Sequence, residues 1–156
     1  MFEHIRETAI TVVLEAFETM FFIPLEVRRD SRDLSYPVLR SEIGFNGKYS
    51  GKIRLYLSPE LATIMAINFM GITDGNASEP EIMDAVNEVC NIICGNLISL
   101  LDQKTPHVLT LPQTRSISSL EQNDGTEPSS LRIDFDTEEG QSVRLEIQFE
   151  NEITGV

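Results

Sequence analysis

From Phe2 to Phe22 the apolar positions Ile5, Ala9, Val12, Val13, Ala16, Phe17 and Met20 fall on one helical stripe, with Glu3, Arg6, Glu7, Glu15 and Glu18 outside it. Pro24, which has no amide proton to donate, ends that helix. A polar connector with Arg28, Arg29, Asp30, Arg32 and Asp33 follows, and then the period changes. Ile53, Leu55 and Leu57 alternate with Lys52, Arg54 and Tyr56, and Val38 to Phe45 alternates in the same way. A period of two predicts strands, and Asn46-Gly47 with Ser50-Gly51 supplies the turn of a hairpin.

Helical spacing then returns. Ser58-Pro59-Glu60 is a cap followed by Pro in the first turn, opening a short helix through Met70 that buries Leu61, Ile64, Met65 and Phe69 and stops at Gly71. After the loop from Thr73, a long helix runs from Ser78 to Asp102, with Ser78 and Glu81 spaced as a capping box around Pro80. At about 100° per residue, Ile82, Val86, Val89, Ile93, Leu97, Leu100 and Leu101 collect on its buried side, with Met83 and Cys90 at the edge.

Beyond it the chain is extended from Pro106 to Pro112, Thr114 to Leu120 predicts a strand, and Glu121 to Ser130 is a polar loop. Two alternating strands follow, carrying Leu131, Ile133 and Phe135, then Val143, Leu145, Ile147 and Phe149, with the turn from Thr137 to Gln141 between them. This order predicts an α+β (mixed α/β) fold with three helices packed on one face of a mainly antiparallel sheet. The expectation is a single domain over residues 1–150 and a frayed tail at 151–156.

Charge narrows the partners. Twenty-five acidic and 12 basic side chains give a formal charge of −13, which repels nucleic-acid backbones and anionic lipid surfaces and favours a protein surface with local positive charge. No apolar run is long enough to span a bilayer, and the first 20 residues are interrupted by acids, so a cytoplasmic protein is expected. Cys90 and Cys94, one turn apart near the apolar side of the third helix, read as reduced, buried thiols, with no further Cys or His beside them to build a metal site.

Several chemistries have no sequence support. There is no Gly-rich phosphate loop, no His-Glu-x-x-His motif and no Gly-x-Ser-x-Gly elbow, and His4 and His107 read as surface or loop residues. What stands out is the outer strip of the third helix: Glu81, Asp84, Glu88, Asn91, Gly95, Ser99 and Asp102. A polar strip on an amphipathic helix is ordinarily just solvated. Asn is a poor residue for that purpose, however, because it lowers helix propensity, and this helix carries Asn87, Asn91 and Asn96. Gly95, also unfavourable in mid-helix, points to something approaching closely.

The run Glu88-Val89-Cys90-Asn91, followed by Ile92-Ile93-Cys94-Gly95-Asn96, resembles the Glu-x-x-Asn signature helix of CheX-type domains in the CheC/CheX/FliY family of chemotaxis phosphatases. The order of elements around it is similar too. In CheC-like relatives the first helix can carry a second such site; here the comparable spot reads Glu15-Ala16-Phe17-Glu18, so one active face is expected. The resemblance implies hydrolysis of the phospho-aspartate of a CheY-type response regulator, with Asn91 orienting the attacking water and Glu88 pairing with the regulator's lysine. It further implies that Mg²⁺ is supplied by the regulator, that this chain binds no cofactor or metal of its own, and that two copies join as a homodimer through their sheets. Asp84 and Gly95 are expected to dock the partner. Two readings without catalysis stand beside it: a helix that binds a response regulator and hydrolyses nothing, and a strand-pairing module.

Overall fold

The alternating segments pair edge to edge because their buried faces match. The computed structural model describes residues 2–30, 32–72, 74–119 and 130–150. In chain order the elements are α1 (Phe2–Phe21), β1 (Leu25–Val27), β2 (Val38–Asn46), β3 (Gly51–Leu57), α2 (Pro59–Met70), α3 (Glu79–Leu101), β4 (Val108–Leu109), β5 (Gln113–Ile117), β6 (Ser130–Thr137) and β7 (Ser142–Phe149). Among the described residues the strands form one sheet in the order β1-β6-β7-β3-β2-β4, with β5 also on β2, and every pairing is antiparallel.

Register follows the apolar alternation. β2 and β3 run from Leu39↔Leu57 to Phe45↔Gly51, and β3 and β7 from Leu57↔Val143 to Gly51↔Phe149. Ile43, Ile53, Leu55, Leu145 and Ile147 therefore share one face and are fully buried beneath the helices. The ladder is tight at Gly51, where a Cβ would collide with the Gln148 carbonyl oxygen. On the opposite face Val38, Tyr56 and Ile117 form a smaller cluster covered by Leu34 and Tyr36. Ion pairs frame it: Arg54 Nε to Glu42 Oε2 at 2.6 Å and Arg144 Nε to Asp134 Oδ1 at 2.8 Å.

α3 packs against α1, α2 and strands β2, β3 and β5, so it is held on several sides at once. The three helices and the antiparallel sheet match the predicted architecture.

Several expectations change at element ends. α1 stops at Phe21, and Phe22 takes a left-handed φ of 58°, ahead of Pro24. The connector predicted after it contains β1, which pairs with β6 in the register Leu25↔Thr137. Ile64 and Phe69, expected in the core, are 42% and 45% exposed: α2 buries only Leu61, Ala62, Met65 and Ala66, and Phe69 meets just the edge of Phe21 on α1. Leu100 is 52% exposed, although its angular position is that of the buried side. The strand predicted at Thr114 to Leu120 is observed as β5, from Gln113 to Ile117. Its last predicted residue, the first nine residues of the loop predicted at 121–130 and the tail at 151–156 lie outside the described residues, and Ser130, expected in that loop, opens β6.

Candidate functional site

α3 begins where its sequence says it should. Ser78 Oγ accepts the Glu81 amide at 3.3 Å, and Glu81 Oε1 accepts the Ser78 amide at 2.9 Å, closing the capping box around Pro80. From that fixed start, Ala85, Val86, Val89, Cys90, Ile93, Cys94, Leu97 and Ile98 are buried. Cys90 and Cys94 are buried as expected, and Cys90 lies inside the apolar face, not at its edge, because the sheet and both other helices widen the covered arc. Burial pushes both thiols up to about 12. A thiol reagent at pH 8 is expected to leave the folded protein unlabelled and to titrate its 2 cysteines only after denaturation.

On the opposite side Asp84, Glu88 and Asn91 are exposed, and Gly95 is half-buried. Glu88 and Asn91, three residues apart on a continuous helix, are neighbours on this outward face. A Cβ placed on Gly95 would meet only Leu109 Cδ1, at 3.8 Å, an ordinary contact. Packing within the chain therefore does not require glycine there. Asp102, expected on the strip, is instead buried at the C-cap. Its amide donates to the Ile98 carbonyl at 3.0 Å and its Oδ1 accepts the Lys104 amide at 3.1 Å, because the chain turns back as the helix ends.

One residue of the helix was not singled out by its spacing. Asn87, half-buried between the apolar arc and the outward strip, turns its carboxamide oxygen to the sheet. It accepts from Thr114 Oγ1 at 2.6 Å and from Ser41 Oγ at 3.4 Å. The signal available in the sequence was the accumulation of Asn in a helix, which propensity alone disfavours.

The field around the strip is acidic. Four acids on α1, one on α2 and four on α3 are offset within the helices by Arg6 alone, while the strands carry mixed charges. Glu15 and Glu18 on α1 are exposed, as a solvated face would be. His107 lines a cavity with Gly95 and Ser99, towards the C-terminal end of the strip. His4 is exposed on α1, and His107 stacks on Tyr49 at 6.2 Å while its Nε2 accepts the Tyr49 amide at 3.2 Å. Among the described residues no group of three or more His, Cys, Asp or Glu side chains is placed to hold a metal ion, and no helix is long and apolar enough to cross a membrane. The strip can offer a carboxylate and a carboxamide to another protein, an acceptor beside a group that both accepts and donates.

Comparison with known proteins bears on what meets this face. The chain is similar in structure to the chemotaxis protein CheX from Vibrio vulnificus (19% identity, TM-score 0.76, covering 94% of this chain and 96% of that one). It is similar as well to a chain in the CheX-CheY-BeF3-Mg complex from Borrelia burgdorferi (19% identity, TM-score 0.71, 93% and 97%). Thermotoga maritima FliY shares the fold at 13% identity, with a TM-score of 0.59 and coverage of 94% and 87%. No curated protein matches in sequence. The family described as "Chemotaxis phosphatase CheX" matches residues 41–136, a span that includes most of the sheet and all of α3 with Glu88 and Asn91. By that match the chain belongs to the CheX family of chemotaxis phosphatases.

Proposed function

We propose that this chain hydrolyses the phospho-aspartate of a CheY-type response regulator, using the outward face of α3. The observation that carries the reading is the exposure of Glu88 and Asn91 side by side on a helix whose other side is locked into the core, within the stretch that matches the family. The regulator's acyl phosphate enters against this face. The Asn91 carboxamide oxygen accepts a hydrogen bond from a water molecule and holds it in line with the phosphorus, while the carboxamide nitrogen donates to a phosphoryl oxygen. Water attacks as the bond between phosphorus and the aspartyl oxygen breaks. Inorganic phosphate leaves, the regulator's carboxylate is restored, and the water's proton passes to phosphate or solvent.

An acyl phosphate is already reactive and its transition state is loose, so positioning and charge stabilisation are the contributions a protein has to make. Glu88 pairs with the regulator's lysine and fixes the docked orientation. Asp84, one turn before Glu88, extends the acidic contact, and Gly95, one turn after Asn91, lets the partner's backbone approach. Mg²⁺ belongs to the regulator in this reading, and the chain contributes no ligand to it. The neighbour solved as a CheX-CheY-BeF3-Mg complex supports a partner of this kind.

The test is the decay of a phosphorylated regulator from the same cell, followed with and without the protein. Acceleration at substoichiometric amounts establishes turnover. Binding of the phosphorylated regulator with an unchanged decay rate would replace the enzyme by a docking module. A homodimer joined through the sheets belongs to the same proposal, and light scattering that shows only the 17.5 kDa species at micromolar concentration would remove it.

A further inference from the structure

We propose that Asn87 is a positioning residue for this face: its carboxamide oxygen, gripped by hydroxyls of two neighbouring strands, sets the rotation of α3 about its own axis and with it the direction in which Asn91 points. The inference rests on the phosphatase reading above and adds to it the device that aims the helix.

The need for such a device follows from how the rest of α3 is held. Its buried residues are apolar side chains and two thiols, and apart from a weak hydrogen bond between the Cys90 thiol and Ser41 their contacts reward burial with little directional preference. Close packing resists large rotations of the helix, but it fixes a small one less sharply than a short hydrogen bond whose angles must be kept. The tips of side chains on a helix lie roughly 5–6 Å from its axis, so a turn of about 10° carries the Asn91 carboxamide about 1 Å sideways. A misplacement of that size at a reacting centre costs on the order of 100-fold in rate.

Asn87 supplies the missing direction. Ser41 and Thr114 are paired across β2 and β5, so their hydroxyls stand next to one another on the side of the sheet that faces the helix. Both converge on one oxygen, Asn87 Oδ1, at 3.4 Å and 2.6 Å, and Ser41 is fully buried. Hydrogen bonds weaken steeply as their angles open, so this pair resists rotation in a way that Val86 or Ile93 cannot. Asn91 lies one turn further along nearly the same side of the helix and inherits the setting.

The experiment compares Asn87→Ala, Asn87→Asp and Thr114→Val with wild type in the dephosphorylation assay, well below the unfolding temperature of each. Asn87→Ala is expected to lower kcat about 10- to 100-fold with KM changed less than about 3-fold, because the docking strip persists and only its aim is lost. Asn87→Asp keeps the accepting oxygen and is expected to restore kcat to within about 3-fold of wild type. Thr114→Val, which removes the shorter bond from the strand side, should reproduce the Asn87→Ala defect, and the double variant should be no worse than either alone. A lowered unfolding temperature with wild-type kcat in Asn87→Ala or in Thr114→Val would overturn the proposal, since a merely structural bond behaves that way. Failure of Asn87→Asp to rescue would overturn it as well. If wild type itself does not accelerate decay, the phosphatase reading falls and this inference with it, an outcome distinct from active wild type with indifferent variants.

Discussion

Asn91→Ala is expected to abolish nearly all of the acceleration of regulator dephosphorylation, a loss of at least about 100-fold in kcat, while leaving the protein as stable as wild type or slightly more so. The first half follows from what the carboxamide does. Removing a group that orients the nucleophile and donates to developing charge costs about 10²- to 10³-fold where it has been measured in other enzymes. The second half follows from where it sits: Asn91 is exposed in the middle of α3, where Ala has the higher helix propensity by up to about 0.7 kcal/mol. Rapid-mix measurement of regulator decay, paired with thermal unfolding of the same preparations, checks both. Full activity in this variant would exclude the proposed mechanism even if the protein proved to be a phosphatase.

Charge reversal at Glu88 should have the next largest effect. Glu88→Ala removes an attraction to the regulator's lysine, whereas Glu88→Lys sets two ammonium groups against each other inside a closing interface. Loss of one member of such a pair costs about 2–5 kcal/mol, and the like-charge variant belongs at the upper end, a drop in kcat/KM of more than about 100-fold. Most of it should appear in KM, because the role proposed for Glu88 is in docking. Raising the salt should slow wild type and relieve part of the Glu88→Lys defect, since screening weakens attraction and repulsion alike. Kinetics indifferent to both substitutions would contradict the ion pair.

The acidic helical layer gives these variants a common background. With Arg6 as the one base among the helices, the face carrying Glu88 lies in an extended negative field, which in the proposed docking would speed encounter with a cationic patch and reject anionic surfaces. On the proposed docking, substitutions at Asp84 and Glu88 are therefore expected to alter both a contact and the field that delivers the partner.

Much of the fold was legible because its signals are local. The capping box at Ser78, Pro80 and Glu81 located the start of α3 to the residue, and strict alternation in β3 and β7 identified strands whose apolar residues share a face. The outward placement of Glu88 and Asn91 was legible for the same reason, since helical spacing from a fixed start determines which way each side chain leaves the axis. β1 was hidden, because three residues are too few for a period and its pairing with β6 joins segments more than a hundred residues apart. The burial of Cys90 and Cys94 was legible too, but Cys90 lies well inside the apolar face and not at its edge, which depends on the neighbours that surround α3.

The sequence alone determined the helix and its outward carboxylate and carboxamide, since each is written in residues close together along the chain. Only the tertiary structure decided that Leu100 and Phe69 stay exposed, that Asp102 folds under the helix end, and that Thr114 and Ser41 hold Asn87. Those outcomes depend on which distant segments arrive beside a given side chain, and chain spacing carries no record of that.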